Sequence, residues 1–366
     1  MTRPVMHVSK TMKAVVTTGH GGYDCLDFRD VAVPTPNHDE VLLRVLAAGI
    51  NNTDINTRLG WYSPDITSAT DAILPGTADT QSVKNGGWNE KTPFPLIQGT
   101  DCCGQIVALG AGVDETRLGE RVLVQPCMRP NGHDDMRSIW MASDFDGAFA
   151  QYVVVPACEA FRVDCDWSSA ELATLPCAYG TSENMLIRAD VKSGDKVLIT
   201  GASGGVGSAT IQLAKRRGAH VTAITSAHKA QALLDLGADR ILTRDDNVSA
   251  KLGDNSIDVV VDNVAGDTFS MMLTVLRRGG KFVSSGAIAG PVVTLDMRDM
   301  YLKDLCLIGC TAWDKPVFPN LIRYVEAGEI HPVLAATFPL SEIVKAQEVF
   351  LRKSHVGNIV LIPPGI

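Results

Sequence analysis

The sequence predicts an α/β fold in two parts, a β-rich N-terminal region followed by a doubly wound parallel sheet. Three observations carry this reading. Up to about residue 160 the chain consists of short β-branched runs broken by turns, and beyond it strand-like and helix-like stretches alternate. Between one such strand and helix stands the glycine run GASGGVG, residues 201–207. A chain of 366 residues accommodates two or three domains and a sizeable core.

In the first part, VLLRVLAAG (41–49), GQIVALG (104–110), ERVLVQP (120–126) and AQYVVVP (150–156) are bounded by Gly or Pro and read as strands. Residues 62–95 form a Pro-, Gly-, Ser- and Thr-rich stretch without periodicity, a length that inside a compact domain marks a functional lid or an insertion. In the second part KVLIT (196–200), HVTAIT (220–225), SIDVVVDNV (256–264) and GKFVSSG (280–286) read as buried strands. Helical stretches between them complete βαβ units, which implies a parallel sheet covered on both faces. The tail, amphipathic LSEIVKAQEVFLRK followed by the strand GNIVLIP, is expected to rejoin the first part.

A formal charge of −8 argues against a nucleic-acid partner, which needs a basic surface. No stretch is apolar for long enough to span a bilayer, and the N-terminus lacks the apolar core of a secretory signal. The expectation is a cytoplasmic protein acting on a small molecule. Nine cysteines without a CxxC pair resemble neither a disulfide framework nor a structural zinc lobe. Asp101 before Cys102 and Cys103 raises the question of a metal, as does the local set Cys127, His133, Asp134 and Asp135. A buried strand entered from a turn and a polar turn are the plainer readings.

GASGGVG follows a strand and opens a helix, which is the context a dinucleotide fingerprint requires. Read as Ala202-x-Gly204-x-x-Gly207, it gives Gly204 the close approach to a pyrophosphate and Gly207 the close packing of helix on strand. Ser203, Gly205 and Val206 complete the turn, and the helix N-terminus offers unpaired N–H groups. At the end of the second strand a carboxylate would select NAD, whereas Thr225 and Ser226 stand there with Lys229 soon after. Small hydroxyls and a cation favour NADP (NADPH).

With these landmarks in order, AAGINNTDINTRLGWY, GTDCCGQIVALGAGVDETRLGERV, LPCAYGTSENML, GASGGVG and LLDLGADRIL, the chain resembles the medium-chain dehydrogenase/reductase superfamily. The resemblance implies a GroES-like β-barrel domain at 1–160, a Rossmann domain at 161–313 and a segment 314–366 completing the first, with the active site between them. Zinc alcohol dehydrogenases of this superfamily carry a cysteine where this chain has Asn51, and a histidine and a glutamate after the glycine of Gly99-Thr100-Asp101. Only Cys177 keeps its ligand position, and a tetrahedral zinc needs about three protein ligands. No metal is expected. The pattern Asn51, Asp54 to Tyr62, and Gly99-Thr100-Asp101 is similar to the zinc-free branch of quinone oxidoreductases and enoyl reductases.

That likeness makes Tyr62 a candidate proton donor, though an aromatic wall residue would read the same. It makes Asn51 a hydrogen-bonding partner of the substrate oxygen or the cofactor ribose, or else a turn residue. Thr181 is expected near the nicotinamide, and Asn263, Gly286 and Ala287 stand where the family's later strands end beside the cofactor. The expected activity is NADPH-dependent, zinc-free hydride transfer to a quinone or an α,β-unsaturated carbonyl. The alternatives are an alcohol dehydrogenase or carbonyl reductase of the same fold, or a catalytically silent NADPH-binding sensor. A homodimer or homotetramer is expected through LCLIGCT (305–311).

Overall fold

The computed structural model describes residues 8–72 and 86–365. Strand Glu40–Ile50 is the axis of the first part. Within a sheet of seven strands it pairs antiparallel with Cys103–Leu109, Tyr152–Pro156 and Asn358–Ile362. A smaller sheet of Thr11–Thr17, Leu26–Ala32 and Leu96–Ile97 lies beside it. The apolar residues of Glu40–Ile50 are almost all buried, including Leu43, Ala47 and Ile50, and this continuous burial explains its central position.

The second part is a parallel sheet of six strands in the order 240–243, 220–225, 196–199, 257–261, 276–284, 306–309. The chain order reverses between 196–199 and 257–261, and the glycine loop emerges at that switch point, where open α/β sheets bind ligands. Strand Leu276–Ser284 begins four residues before the expected GKFVSSG, because Leu276 is fully buried and already paired with Ile257. Strand Cys306–Gly309 forms the edge.

The segment 314–366 is shared between the two parts. Strands Leu334–Pro339 and Asn358–Ile362 join the first sheet, but helix Val317–Glu326 rests on the second part. There the Arg216 guanidinium lies 3.5 Å above the Tyr324 ring, and buried Glu183 pairs with Arg217 at 2.9 Å while accepting from Asn320. The chain crosses between the parts in 327–333, and the two parts touch again at residue 357, where Gly357 N–H donates to the Ser203 carbonyl at 3.0 Å. Among the described residues no helix is long and apolar enough to cross a membrane.

Candidate active site between the two sheets

Helix Gly205–Arg216 starts directly after the glycine loop, with Gly204 as its N-cap. A Cβ on Gly207 would lie 2.5 Å from Ala202 Cα and 2.5 Å from the Gly201 carbonyl oxygen, so only glycine lets this helix sit so close to its strand. A Cβ on Gly204 would meet only the Gly201 oxygen, at 3.5 Å. No protein atom requires glycine there, and the space stays open to a ligand. Helix N-terminal N–H groups facing open space suit a phosphate.

Two connected cavities run from this loop. One of about 140 Å³ touches Ser203, Gly204, Gly205, Val206, Gly207 and Lys229. The other, of about 420 Å³, reaches Ile224, Thr243, Arg244 and Met272, and the two share Thr200, Gly201, Arg244 and Lys353. Lys229 is only 4% exposed, and its Nζ donates to Ser203 Oγ at 3.2 Å and to the Lys353 carbonyl. No carboxylate pairs with it among the described residues. Burial, and then the charge of Arg244, lower its pKa. His355 lines the same cavity, its pKa pushed down to about 4 by burial and then by Lys353 and Lys229. Three basic side chains, Lys229, Arg244 and Lys353, thus converge with a neutral His355 beside the glycine loop, and the loop fits the pyrophosphate of a dinucleotide.

Of the residues expected at this end, Thr225 is buried with no hydrogen-bond partner for its hydroxyl among the described residues. Ser226 opens the following turn, and Ala202 is fully buried behind the loop. None of these three lines the cavities, whereas Arg244, Lys353 and His355 do.

A third cavity, of about 140 Å³, continues past Gly205 and Val206 and ends between the two sheets. It brings together Asn51, Tyr62, Thr181, Asn263, Gly286 and Ala287, which lie on five separate stretches of sequence. Asn263 Oδ1 accepts from Ser285 N at 2.8 Å, tying two strand ends together beside it. The Tyr62 hydroxyl donates to Thr53 Oγ1 at 3.3 Å, and burial pushes its pKa up to about 12. It is therefore a neutral O–H at neutral pH.

An aromatic wall lines one side of the cavity. Trp88 stands 5.2 Å from Tyr62 and 4.4 Å from Trp140, and Trp140 stands 5.5 Å from Trp313. Trp88 comes from the 62–95 stretch, held by Asn89 Nδ2 donating to the Ser138 carbonyl at 2.8 Å. The part of that stretch at 73–85 lies outside the described residues. Beyond Tyr62 and Gly286 the cavity opens into a wider groove of about 820 Å³ bordered by Arg137, Arg188 and Thr311.

The positions that the family resemblance assigns to zinc ligands are Asn51, Thr100 or Asp101, and Cys177. Here they are joined by hydrogen bonds. Asn51 Nδ2 donates to Asp101 Oδ2 at 2.8 Å, and Cys177 N–H donates to Asp101 Oδ1 at 2.6 Å. Asp54 accepts from Asn51 N at 2.8 Å and, through its other oxygen, from Gly99 N, Thr100 N and Thr100 Oγ1, each at 3.2 Å. Burial raises Asp101 to about 7 and Asp54 to about 6. It also raises the Cys177 thiol well above its ordinary value. An amide at 51 and a carboxyl group at 101 with both oxygens held in hydrogen bonds do not match the ligand set of a tetrahedral zinc ion.

Cys102 and Cys103 are fully buried, their thiols raised by burial. At 127–135, Arg129 gathers the His133 and Asp135 carbonyls, which makes this a braced turn. Among the described residues no group of three His, Cys, Asp or Glu side chains is placed to hold a metal.

A nucleotide-binding sheet, a glycine cradle at its switch point and a cavity closed by a second domain define the class of two-domain nicotinamide-dependent oxidoreductases. Residues 37–164 match the alcohol dehydrogenase GroES-like domain and residues 205–327 the zinc-binding dehydrogenase domain. A solved structure from Sinorhizobium meliloti 1021, provisionally described as an alcohol dehydrogenase, is 44% identical. The match covers 98% of this chain and 99% of that one, with a TM-score of 0.88. Acryloyl-coenzyme A reductase of Metallosphaera sedula is 28% identical, over 96% of this chain and 99% of its own. Quinone oxidoreductase of Homo sapiens is 26% identical, over 96% and 98%. The chain belongs to the medium-chain dehydrogenase/reductase superfamily.

Proposed function

We propose that this protein is an NADPH-dependent, zinc-free oxidoreductase that transfers hydride to a quinone or an α,β-unsaturated carbonyl compound. The observation that carries the reading is the hydrogen-bonded set Asn51, Asp101 and Cys177, which closes the metal position while Tyr62 and Asn51 still border the cavity. NADPH rather than NADH is supported by Lys229 and Arg244 at the cradle. The curated relatives that reduce acryloyl-coenzyme A or quinones support the acceptor class.

Bound NADPH supplies a hydride with its electron pair to the β carbon of an enone or to a quinone ring. The residues of this chain do the rest. Thr181, Asn263 and Gly286 border the space for the nicotinamide, and the Trp88–Trp140–Trp313 wall excludes water and stacks a planar acceptor. Negative charge moves to the acceptor oxygen, where the Asn51 N–H and the Tyr62 O–H, once turned from Thr53, are the donors. Tyr62 then gives its proton to the substrate, and its raised pKa keeps that proton in place beforehand. Without a metal to polarise an isolated carbonyl, an acceptor already activated by conjugation is favoured.

The alcohol dehydrogenase reading draws on the description of the 44% identical structure. NADPH oxidation followed against quinones, enones, enoyl thioesters and aldehydes decides between the two. Turnover on conjugated acceptors, without stoichiometric metal, is the expected result, and no turnover on any of them refutes the proposal. Strand Cys306–Gly309, with Leu307 exposed at the sheet edge, supports pairing with a second copy, and sedimentation measures that assembly.

A further inference from the structure

We propose that Asp101 is a positioning residue, whose carboxylate holds the Asn51 carboxamide so that its second N–H points to the oxygen of the bound acceptor. This inference rests on the reading of the cavity as a hydride-transfer site. An asparagine amide has two N–H donors and one carbonyl acceptor. In this chain the Asn51 side chain caps helix Asn52–Leu59 in a capping box with Asp54, and one Nδ2 hydrogen goes to Asp101 Oδ2 at 2.8 Å. The backbone N–H of Asn51 is held separately by Asp54 Oδ2 at 2.8 Å. What remains is one N–H on a residue that lines the cavity with Tyr62 and Thr181.

Asp101 is built into this place. It is 0% exposed, and its second oxygen accepts from Cys177 N–H at 2.6 Å, at the start of helix Pro176–Arg188. The chain is shaped around it, because a Cβ on Gly49 would lie 2.5 Å from Asp101 Oδ2 and 2.6 Å from the Ala173 carbonyl oxygen. The two oxygens of one carboxylate therefore link helix Asn52–Leu59, through Asn51, to helix Pro176–Arg188. A carboxylate suits the position because both of its neighbours are donors. An amide would set its own NH₂ against one of them.

The test uses Asp101→Asn, Asn51→Ala and the exchanged pair Asn51→Asp/Asp101→Asn in the full-length protein. In Asp101→Asn the Asn51 amide loses its fixed orientation, and kcat falls roughly 100-fold, the scale of losing one oxyanion donor. NADPH affinity stays within about threefold, since the cradle is untouched. In the exchanged pair the carboxamide at 101 accepts from Cys177 N–H and donates to the carboxylate at 51, so the melting temperature recovers. Turnover does not recover, because a carboxylate at 51 has no N–H for the substrate oxygen. Recovery of turnover together with melting temperature would mean a structural role only and overturns the proposal. A second readout needs no turnover: with ¹⁵N-asparagine labelling, the Asn51 side-chain signal, assigned by its absence in Asn51→Ala, shifts and exchanges faster in Asp101→Asn. An unchanged signal overturns the proposal. If the wild type reduces no conjugated acceptor while that signal responds as described, the proposed function falls and the positioning of Asn51 by Asp101 stands.

Discussion

Lys229→Met tests the cofactor assignment most directly, because it removes the charge and keeps the apolar stem. The Lys229 ammonium is 4% exposed and pairs with no carboxylate among the described residues, and its pKa is lowered by burial and by Arg244. A 2′-phosphate in this cavity would supply the missing anion. One charge-assisted hydrogen bond contributes about 1.5–3 kcal/mol, so NADPH should bind roughly 10- to 150-fold more weakly to the variant. NADH has no phosphate there, and its affinity should move by less than about threefold. Cofactor fluorescence titration gives both constants. In the wild type the bound phosphate raises the lowered pKa of Lys229, so NADPH affinity should fall as pH climbs through that pKa, while NADH affinity stays flat. Equal losses for the two cofactors, or a wild type that prefers NADH, would refute the reasoning.

Three further outcomes follow from the cavity. Tyr62→Phe should lower kcat roughly 100-fold with little change in NADPH affinity if the hydroxyl donates the proton; an unchanged kcat would assign Tyr62 to the wall. Trp88→Ala removes the ring packed on Tyr62 and Trp140, enlarging a cavity of about 140 Å³, so kcat/KM should rise for bulky acceptors and fall for the smallest. An unaltered order of preference across an acceptor series would contradict that role. Asp101 and Asp54 are raised by burial to about 7 and about 6, so the folded protein keeps protons that the unfolded chain has lost above about 4. Their burial therefore makes stability fall as pH rises from about 4 through 7, opposed by His355, which is lowered to about 4. Melting temperatures between pH 5 and 8 should show a shallower decline in Asp101→Asn than in the wild type.

The parts of this protein that were legible in its sequence are those whose cause is local. GASGGVG reads as a cradle because the strand before it and the helix after it are both visible in the same stretch, and Gly207 is required by contacts within six residues of itself. Helix Asn52–Leu59, bounded by a capping box at Asn51 and a left-handed Gly60, is not among the helices expected from the sequence, where Asn51 reads only as a hydrogen-bonding or turn residue. The basic cluster was legible only at Lys229, because Arg244, Lys353 and His355 reach it from other elements and no periodicity links them. Thr225 ends the expected strand and Ser226 follows it, but Thr225 is turned into the core, and the sequence does not record which way a strand's last side chain points. Trp88, Trp140 and Trp313 form one wall through three distant segments, and Trp88 sits in a stretch without any pattern.

The same separation between local and convergent causes bears on how, on the proposed function, this cleft works without zinc. A metal site would join the start of helix Asn52–Leu59, the turn at Gly99–Asp101 and the start of helix Pro176–Arg188. Here the same three places are joined by Asn51, Asp101 and the Cys177 N–H through hydrogen bonds of 2.6 and 2.8 Å. Those bonds connect the elements but carry no Lewis acid, so on the proposed function polarisation of the acceptor falls to neutral N–H and O–H donors. Such donors stabilise a developing negative charge best in a dry cavity, where the effective dielectric is low. On the proposed function the Trp88–Trp140–Trp313 wall and a conjugated acceptor answer one requirement: polarisation by neutral donors is weaker than by a metal, and an apolar enclosure with a more reactive acceptor offsets it.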